Sequence, residues 1–357
     1  LKKWICTFNG DRAGFDAAAK ARHDISAIGA AHGYEPLNIY YYNDVGESDD
    51  AKITRIDGIT AGVRAGDIVV IQHPTWIGPT FDTFFIDQMN KRGARPVLLI
   101  HDIDSWRFDR FQTVEKSSTE YFNKAAAIIV HGPAMAQRLR KEGVTVPFVT
   151  QPFLDYLDED HDWDKYKADL ENFDRAVFIA GNLLKSRTLL LNWNLQTPLL
   201  AFGATTDQYR AQIEHNPKIN FAGGFGQWEL INQLPKAFGL AWDSNQKGEH
   251  YAEYTRYNHP HKVSLYLSHG LPVIVSKNSA MAPVVEANHL GLTISDIHEV
   301  DQMVLETPDE TITDILHNTE KVGRLMREGW FTSNALLQAE RCVVDPTFTY
   351  AKDYLNK

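Results

Sequence analysis

The chain has 357 residues, 43% of them hydrophobic and 23% charged, which is the balance of a globular protein long enough for two ordinary domains. Its formal charge of −10 excludes a general nucleic-acid-binding role, while leaving room for a local basic pocket. No apolar run reaches membrane-spanning length, and the two cysteines, Cys6 and Cys342, stand too far apart for a metal-ligand spacing and fit a reducing compartment.

Short β-rich runs alternate with longer amphipathic stretches. Trp4 to Phe8 reads as a first strand rather than a signal peptide, so a cytoplasmic protein is expected. The polar loop from Asn9 through Gly10 and Gly14 leads to an alanine-rich helix from Phe15 to His32. Strands follow at Leu37–Tyr42, Asp67–Gln72, Pro96–His101, Ala126–Val130 and Phe148–Thr150. Helices are expected between them at Asp49–Arg64, Phe81–Arg92, Val114–Asn123 and Pro133–Glu142. His73, His101, Asp102, Asp104 and His131 each follow a predicted strand end, where parallel sheets collect their ligands. Trp76 and Trp106 in these loops suit either a sugar platform or plain packing.

Asp155 to Asp174 is charged and aromatic without a core period, and reads as an interdomain connection. A second alternating series then begins at Ala176–Ala180, with further strands at Leu199–Phe202, Ile219–Ala222, Phe238–Ala241, Pro272–Val275 and Leu292–Ile294. Its helices fall around Trp228–Gln233, His261–Ser268, Pro283–Ala287, Asp309–Arg327 and Trp330–Ala339, and Asp345-Pro346 breaks the last helical region. Two α/β sheets in tandem are the result.

Four stretches of the second half can carry chemistry. Gly181 to Arg187 places Lys185 and Arg187 just after a strand, without the Walker spacing, so it is either a phosphate-holding turn or a solvated basic loop. Gly223-Gly224-Phe225-Gly226 allows close backbone approach to a ligand, with Phe225 free to stack, or is a plain strand–helix turn. Asp243 either binds sugar hydroxyls or caps its turn. The fourth stretch, Tyr257 to Val275, is the most informative. Lys262 lies in the first turn of a helix, where the macrodipole disfavours a cation. A lysine and open N–H groups at one helix start make sense around an anion, and phosphate is the expected one. Asn258, His261 and Ser264 add donors there.

Asn9-Gly10, Gly181-Asn182-Leu183, Gly224-Phe225-Gly226, Asn258-His259-Pro260-His261-Lys262 and Gly270-Leu271-Pro272-Val273-Ile274 together resemble a GT-B glycosyltransferase. More narrowly, they resemble the bacterial glucosyltransferases that add the second sugar to serine-rich-repeat adhesins, a galactofuranosyltransferase-like group. The resemblance spans nearly the whole chain. It implies an α/β GT-B fold of two Rossmann-like domains facing a central cleft: an acceptor-side domain over 1–155, a donor-binding domain over 156–340, and a segment over 341–357 that crosses back to the first. It implies a UDP-sugar donor, O-linked N-acetylglucosamine on an adhesin as acceptor, no cofactor, no metal and a homotetramer.

By that resemblance Asn258, His261 and Lys262 hold the diphosphate beside Lys185 and Arg187, and Gly224 and Phe225 frame the uridine. Tyr257 and Asp243 belong to the same donor site, and Asn9, Gly10, Gly14 and Phe15 form a loop closing over donor and acceptor. Many retaining GT-B enzymes carry two glutamates at positions that fall here on Tyr257 and Leu265. Neither is acidic, which fits an inverting enzyme with a general base from the first half: Asp102, His73 or Asp104. A galactofuranosyl- or other hexosyltransferase for cell-surface glycan, and a silent nucleotide-sugar or glycopeptide binder, are the alternative readings.

Overall fold

The computed structural model describes residues 1–10, 17–158 and 167–344. Gly14 and Phe15 lie outside them, as does the expected crossing segment beyond residue 344. The contacts divide the chain into two units, Leu1–Leu154 joined by the chain from Gly329 onward, and Asp155–Glu328.

The first unit contains β1 (Lys3–Asn9), β2 (Glu35–Tyr40), β3 (Ile68–His73), β4 (Arg95–Ile100), β5 (Ala127–Val130) and β6 (Phe148–Thr150). They form one parallel sheet in the order β2-β1-β3-β4-β5-β6. The central runs IVVIQH, RPVLLI and AIIV are buried nearly throughout, because a parallel sheet is covered on both faces. Helix Ala17–Ala31 contributes Ala21 and Ile25 to the core, and helix Trp330–Val344 contributes Ala335, Leu336, Ala339 and Val343. Gln72 locks the centre: its amide donates to the carbonyls of Cys6 and Arg22 and to Ser26 Oγ, while its oxygen meets His101 Nε2 at 2.8 Å.

The helix Trp330–Val344 differs from the expectation. The sequence reading placed 330–340 in the second domain, but four of its apolar side chains are buried in the first unit's core. Burying one such aliphatic side chain is worth about 2 kcal/mol, so the boundary falls at the Gly329 turn (φ +72°), before the helix rather than after it.

The second unit contains β7 (Val177–Ala180), β8 (Leu199–Phe202), β9 (Ile219–Gly223), β10 (Phe238–Ala241), β11 (Val273–Ser276) and β12 (Gly291–Ile294). They form a second parallel sheet, β12-β11-β10-β7-β8-β9. The chain reverses its direction of travel across the sheet between β7 and β10, which is the topological switch point where open α/β sheets bind ligands. Helix His261–Ser268 packs over this point. The Tyr266 ring crosses Gly239 of β10, where a Cβ would stand 2.3 Å from the ring. The Tyr266 hydroxyl accepts from Ala180 N–H at 2.8 Å and donates back to Ala180 O at 3.2 Å, at the last residue of β7. Burial pushes this phenol well above the usual tyrosine range, so it keeps its proton and both bonds. Behind it, helix Asp309–Arg327 approaches closely: a Cβ on Gly323 would lie 2.4 Å from Leu267 O. The last turn of helix His261–Ser268 is thereby fixed against β7 and β10.

Candidate functional site

The loops leaving β7, β8, β9 and β10 are bonded to one another. Gly181 N–H donates to Phe202 O, Leu183 N–H to Ala204 O and Gly203 N–H to Gly223 O. The approach is so close that a Cβ on Gly203 (φ +140°) would lie 1.7 Å from Gly181 O. Gly203 was not singled out from the sequence; a lone glycine after a strand carries no local sign of the chain that presses on it. Across the switch point, Ser244 N–H donates to Lys185 O at 2.7 Å and Ser186 Oγ to Trp242 O at 2.7 Å. Asn182 caps its turn by accepting from Leu184 N–H.

This stitching brings Lys185, Asp243 and Lys262 to one place. Lys262 Nζ lies 2.7 Å from Asp243 Oδ1, both side chains being largely buried. The Asp243 carboxylate thus holds the lysine through one of its oxygens. An ammonium has three donors and Asp243 engages one of them, leaving capacity for an anion. Pro260 precedes helix His261–Ser268 and gives it no side-chain cap, and Val263 N–H donates to Pro260 O at 2.9 Å. Asn258, just before the helix, has its Oδ1 buried without a hydrogen-bond partner. His261 stacks on Tyr156 at 5.3 Å between centroids, which fixes the ring at the helix start. Lys185 Nζ sits 5.0 Å above the Tyr251 ring. Tyr257 is half-buried next to Asn258. Arg187, by contrast, is exposed and turned along Tyr209, 5.4 Å from that ring. Gly224 and Phe225 stand further out, after β9, with Phe225 packed 6.2 Å from Phe202 and 36% exposed.

In the first unit the switch point lies between β1 and β3. A small pocket opens there, lined among the described residues by Phe8, Asn9, Arg22, His23, Tyr41 and Trp76, with Ala19 and Thr75. Trp76 is held at φ +65°, a conformation that a bulky residue rarely adopts and that marks functional loops. The Arg22 guanidinium lies 4.0 Å from its ring and donates to the carbonyls of Gln72 and Pro74. Asn9 lines this pocket and donates to Asn38, and Gly10 takes φ +122° beside Tyr41.

The three candidate bases separate clearly. Asp102 and Asp104 are both held by one guanidinium: Arg107 reaches Asp102 Oδ2 at 2.9 Å and Asp104 Oδ1 at 2.5 Å. Each acid therefore has one carboxylate oxygen in an ion pair with Arg107. His101 is buried against Gln72. His131 donates to Ile100 O, and burial brings its pKa down to about 4, against the opposing pull of that bond, so it is neutral at physiological pH. His73 remains, at the end of β3, with Nδ1 3.4 Å from the buried Asp82 carboxylate. Trp106 is buried under Arg138 and donates to Glu142, so of the two candidate platforms it is the packing residue.

Two sequence profiles of one family match this chain: "Glucosyltransferase 3-like, N-terminal domain" over residues 2–153 and "Glucosyltransferase 3-like, C-terminal domain" over residues 177–339. The chain belongs to the glucosyltransferase 3-like family. It is a glycosyltransferase by that membership, and the two profiles fall on the two sheets. "Glucosyltransferase 3" of Streptococcus gordonii is 29% identical over 329 residues, which cover 91% of this chain and 95% of that protein. A beta-1,6-galactofuranosyltransferase of Escherichia coli K12 is 27% identical over 332 residues, 90% of this chain and 93% of its own. Among solved structures, Anabaena HepE in complex with UDP aligns over 95% of this chain and 99% of its own with a TM-score of 0.60 and 11% identity. Sucrose-phosphate synthase from Thermosynechococcus elongatus aligns over 96% and 99% with a TM-score of 0.65 and 12% identity. At that identity the likeness establishes the GT-B fold alone. No helix among the described residues is long and apolar enough to cross a membrane.

Proposed function

We propose that this chain transfers a hexose, glucose or N-acetylglucosamine, from a UDP-sugar to O-linked N-acetylglucosamine on a serine-rich-repeat adhesin. Transfer proceeds with inversion, in the cytoplasm, on a homotetramer. The observation that carries the donor assignment is Lys262, held at an uncapped helix start over the switch point of the second sheet. Similar folds solved with UDP, such as Anabaena HepE, support a uridine nucleotide as the ligand.

The chemistry follows from charge. As the bond from the anomeric carbon to the diphosphate oxygen breaks, negative charge grows on the departing UDP. Lys262, Lys185 and the positive end of the dipole of helix His261–Ser268 meet that charge. These cations take the part a divalent metal plays elsewhere, so turnover is expected to survive chelation by EDTA. The residues Tyr257 and Leu265 stand where many retaining enzymes place glutamates, which favours direct displacement by the acceptor. His73 of the first unit is the preferred base, because Arg107 engages both Asp102 and Asp104. Trp76 and the pocket beside it suit the apolar face of an acceptor sugar.

The test is UDP release from a panel of UDP-hexoses with an N-acetylglucosaminyl-serine peptide, followed by the anomeric configuration of the product. β-Linked transfer from an α-linked donor supports the proposal. Transfer of galactofuranose to a glycan instead would establish the second reading, which the Escherichia coli relative favours. Binding of UDP without turnover on any acceptor would leave a nucleotide-sugar binder.

A further inference from the structure

The first unit contains a buried carboxylate that the reaction as described does not use. Asp82 lies in the first turn of helix Pro79–Lys91 and is 5% exposed. Its Oδ2 is 3.4 Å from His73 Nδ1 and 3.3 Å from Thr75 N–H, and its Oδ1 accepts from the Thr75 hydroxyl. Thr75 and the helix N-terminus thus fix the carboxylate from two sides. His73 is fixed as well: its ring meets Tyr121 at 5.0 Å and the edge of Phe122 at 5.4 Å. Nδ1 is buried with no hydrogen-bond partner and has the Asp82 carboxylate 3.4 Å away as its nearest charge partner, whereas Nε2, on the opposite side of the ring, makes no hydrogen bond with the described residues. The side chain keeps 14% of its surface exposed.

We infer that Asp82 is the positioning residue of His73, holding the proton on Nδ1 so that Nε2 is the atom that receives the acceptor's proton. The inference rests on the hexosyl-transfer reading and deepens it. A neutral imidazole has one N–H and one lone pair, and the partner of one nitrogen decides which nitrogen has the lone pair. A carboxylate at Nδ1 selects the Nδ1–H tautomer and stabilises the imidazolium that forms. In the transfer step the acceptor O–H bond breaks and its proton goes to Nε2, while the oxygen's electron pair forms the new bond to the anomeric carbon. The bond from that carbon to the diphosphate oxygen breaks, and its electron pair leaves with UDP. The imidazolium then returns its proton to solvent.

Among the described residues, the other titratable groups that sense Asp82 are Tyr121 and Cys6, and burial pushes both above their usual range, so neither is charged at neutral pH. Arg22 is the nearby cation. The Asp82 carboxylate is therefore the charge whose removal acts on His73. Asp82 also anchors the loop through Thr75, and a purely structural role would weaken folding and substrate binding without moving the pH profile.

The experiment measures kcat and KM across pH for wild type, Asp82→Asn, His73→Gln and the double variant, with UDP release as the readout. Asp82→Asn is expected to lower kcat about 100-fold with acceptor KM within about twofold, and to move the acidic limb of the kcat profile to lower pH. The double variant is expected to be no slower than His73→Gln alone, because both residues act through one imidazole. In wild type, histidine ¹⁵N NMR above neutral pH is expected to show the Nδ1–H tautomer at His73, a readout that needs no variant to fold. An Nε2–H tautomer, an unmoved acidic limb, or multiplicative losses in the double variant would overturn the inference while leaving the transferase reading in place. No UDP release by wild type on any acceptor would overturn both.

Discussion

Removing the Lys262 side chain is the perturbation with the largest expected effect on transfer. Nζ lies 2.7 Å from Asp243 Oδ1 in a largely buried setting, so Lys262→Ala deletes a cation and strands an anion beside the incoming diphosphate. Two unit charges about 4 Å apart interact by roughly 4 kcal/mol at an effective dielectric constant near 20. Asp243 already offsets part of the lysine's charge, which brings the expected loss of transition-state stabilisation to about 2–4 kcal/mol. That corresponds to a fall in kcat/KM of roughly 30-fold to 1,000-fold. Asp243→Asn added to Lys262→Ala removes the stranded charge and is expected to recover about tenfold. The assay is initial-rate UDP release at varied donor, with circular dichroism confirming the fold. A Lys262→Ala enzyme within threefold of wild type, or a double variant slower than the single one, would refute the reasoning.

Trp76→Ala is expected to raise the acceptor KM about tenfold and leave the donor KM unchanged, as read from separate substrate titrations, because its ring lines the first unit's pocket. Tyr266→Phe removes the hydroxyl that serves both backbone groups of Ala180, and a loss of about 1–2 kcal/mol is expected in urea denaturation. For His131, burial holds the folded-state pKa at about 4, below the ordinary histidine value of 6.5, so the unfolded chain binds the proton first as pH falls. The stability this residue supports is fully present above about pH 6.5 and is lost between there and about pH 4, up to about 3 kcal/mol. Denaturation midpoints of wild type should decline across that window, and those of His131→Gln should decline less.

The central strands were legible because each is a short apolar run buried on both faces, whereas the edge strands Glu35–Tyr40 and Ile219–Gly223 are exposed at alternate positions. Helix Asp309–Arg327 was legible for the opposite reason, a sustained stripe of apolar positions. The helices Asp104–Arg107, Asp207–Glu214 and Tyr251–Tyr254 were not, being one or two turns long with few buried side chains. The destination of helix Trp330–Val344 also escaped, because an apolar face records that it is buried but not against which sheet.

At the proposed donor site, Lys262 was visible as a cation at a helix start, where it is electrostatically out of place. Its partner Asp243, 19 residues earlier, was visible only as an acid after a strand, since the topology of β10 and the following helix brings the two together. The clamp on Asp104 was closer to reach, because Arg107 follows three residues later within one turn. Asp82 and Gly203 left no local mark: one acts through a histidine on the preceding strand, the other through a carbonyl 22 residues away in sequence.

The central claim is that the helix start at Lys262 binds a diphosphate, and calorimetric titration of UDP and uridine into wild type and Lys262→Ala tests it most directly. UDP should bind wild type far more tightly than uridine does, and most of that difference should disappear in the variant while uridine affinity holds. An equal advantage of UDP over uridine in both proteins would contradict it.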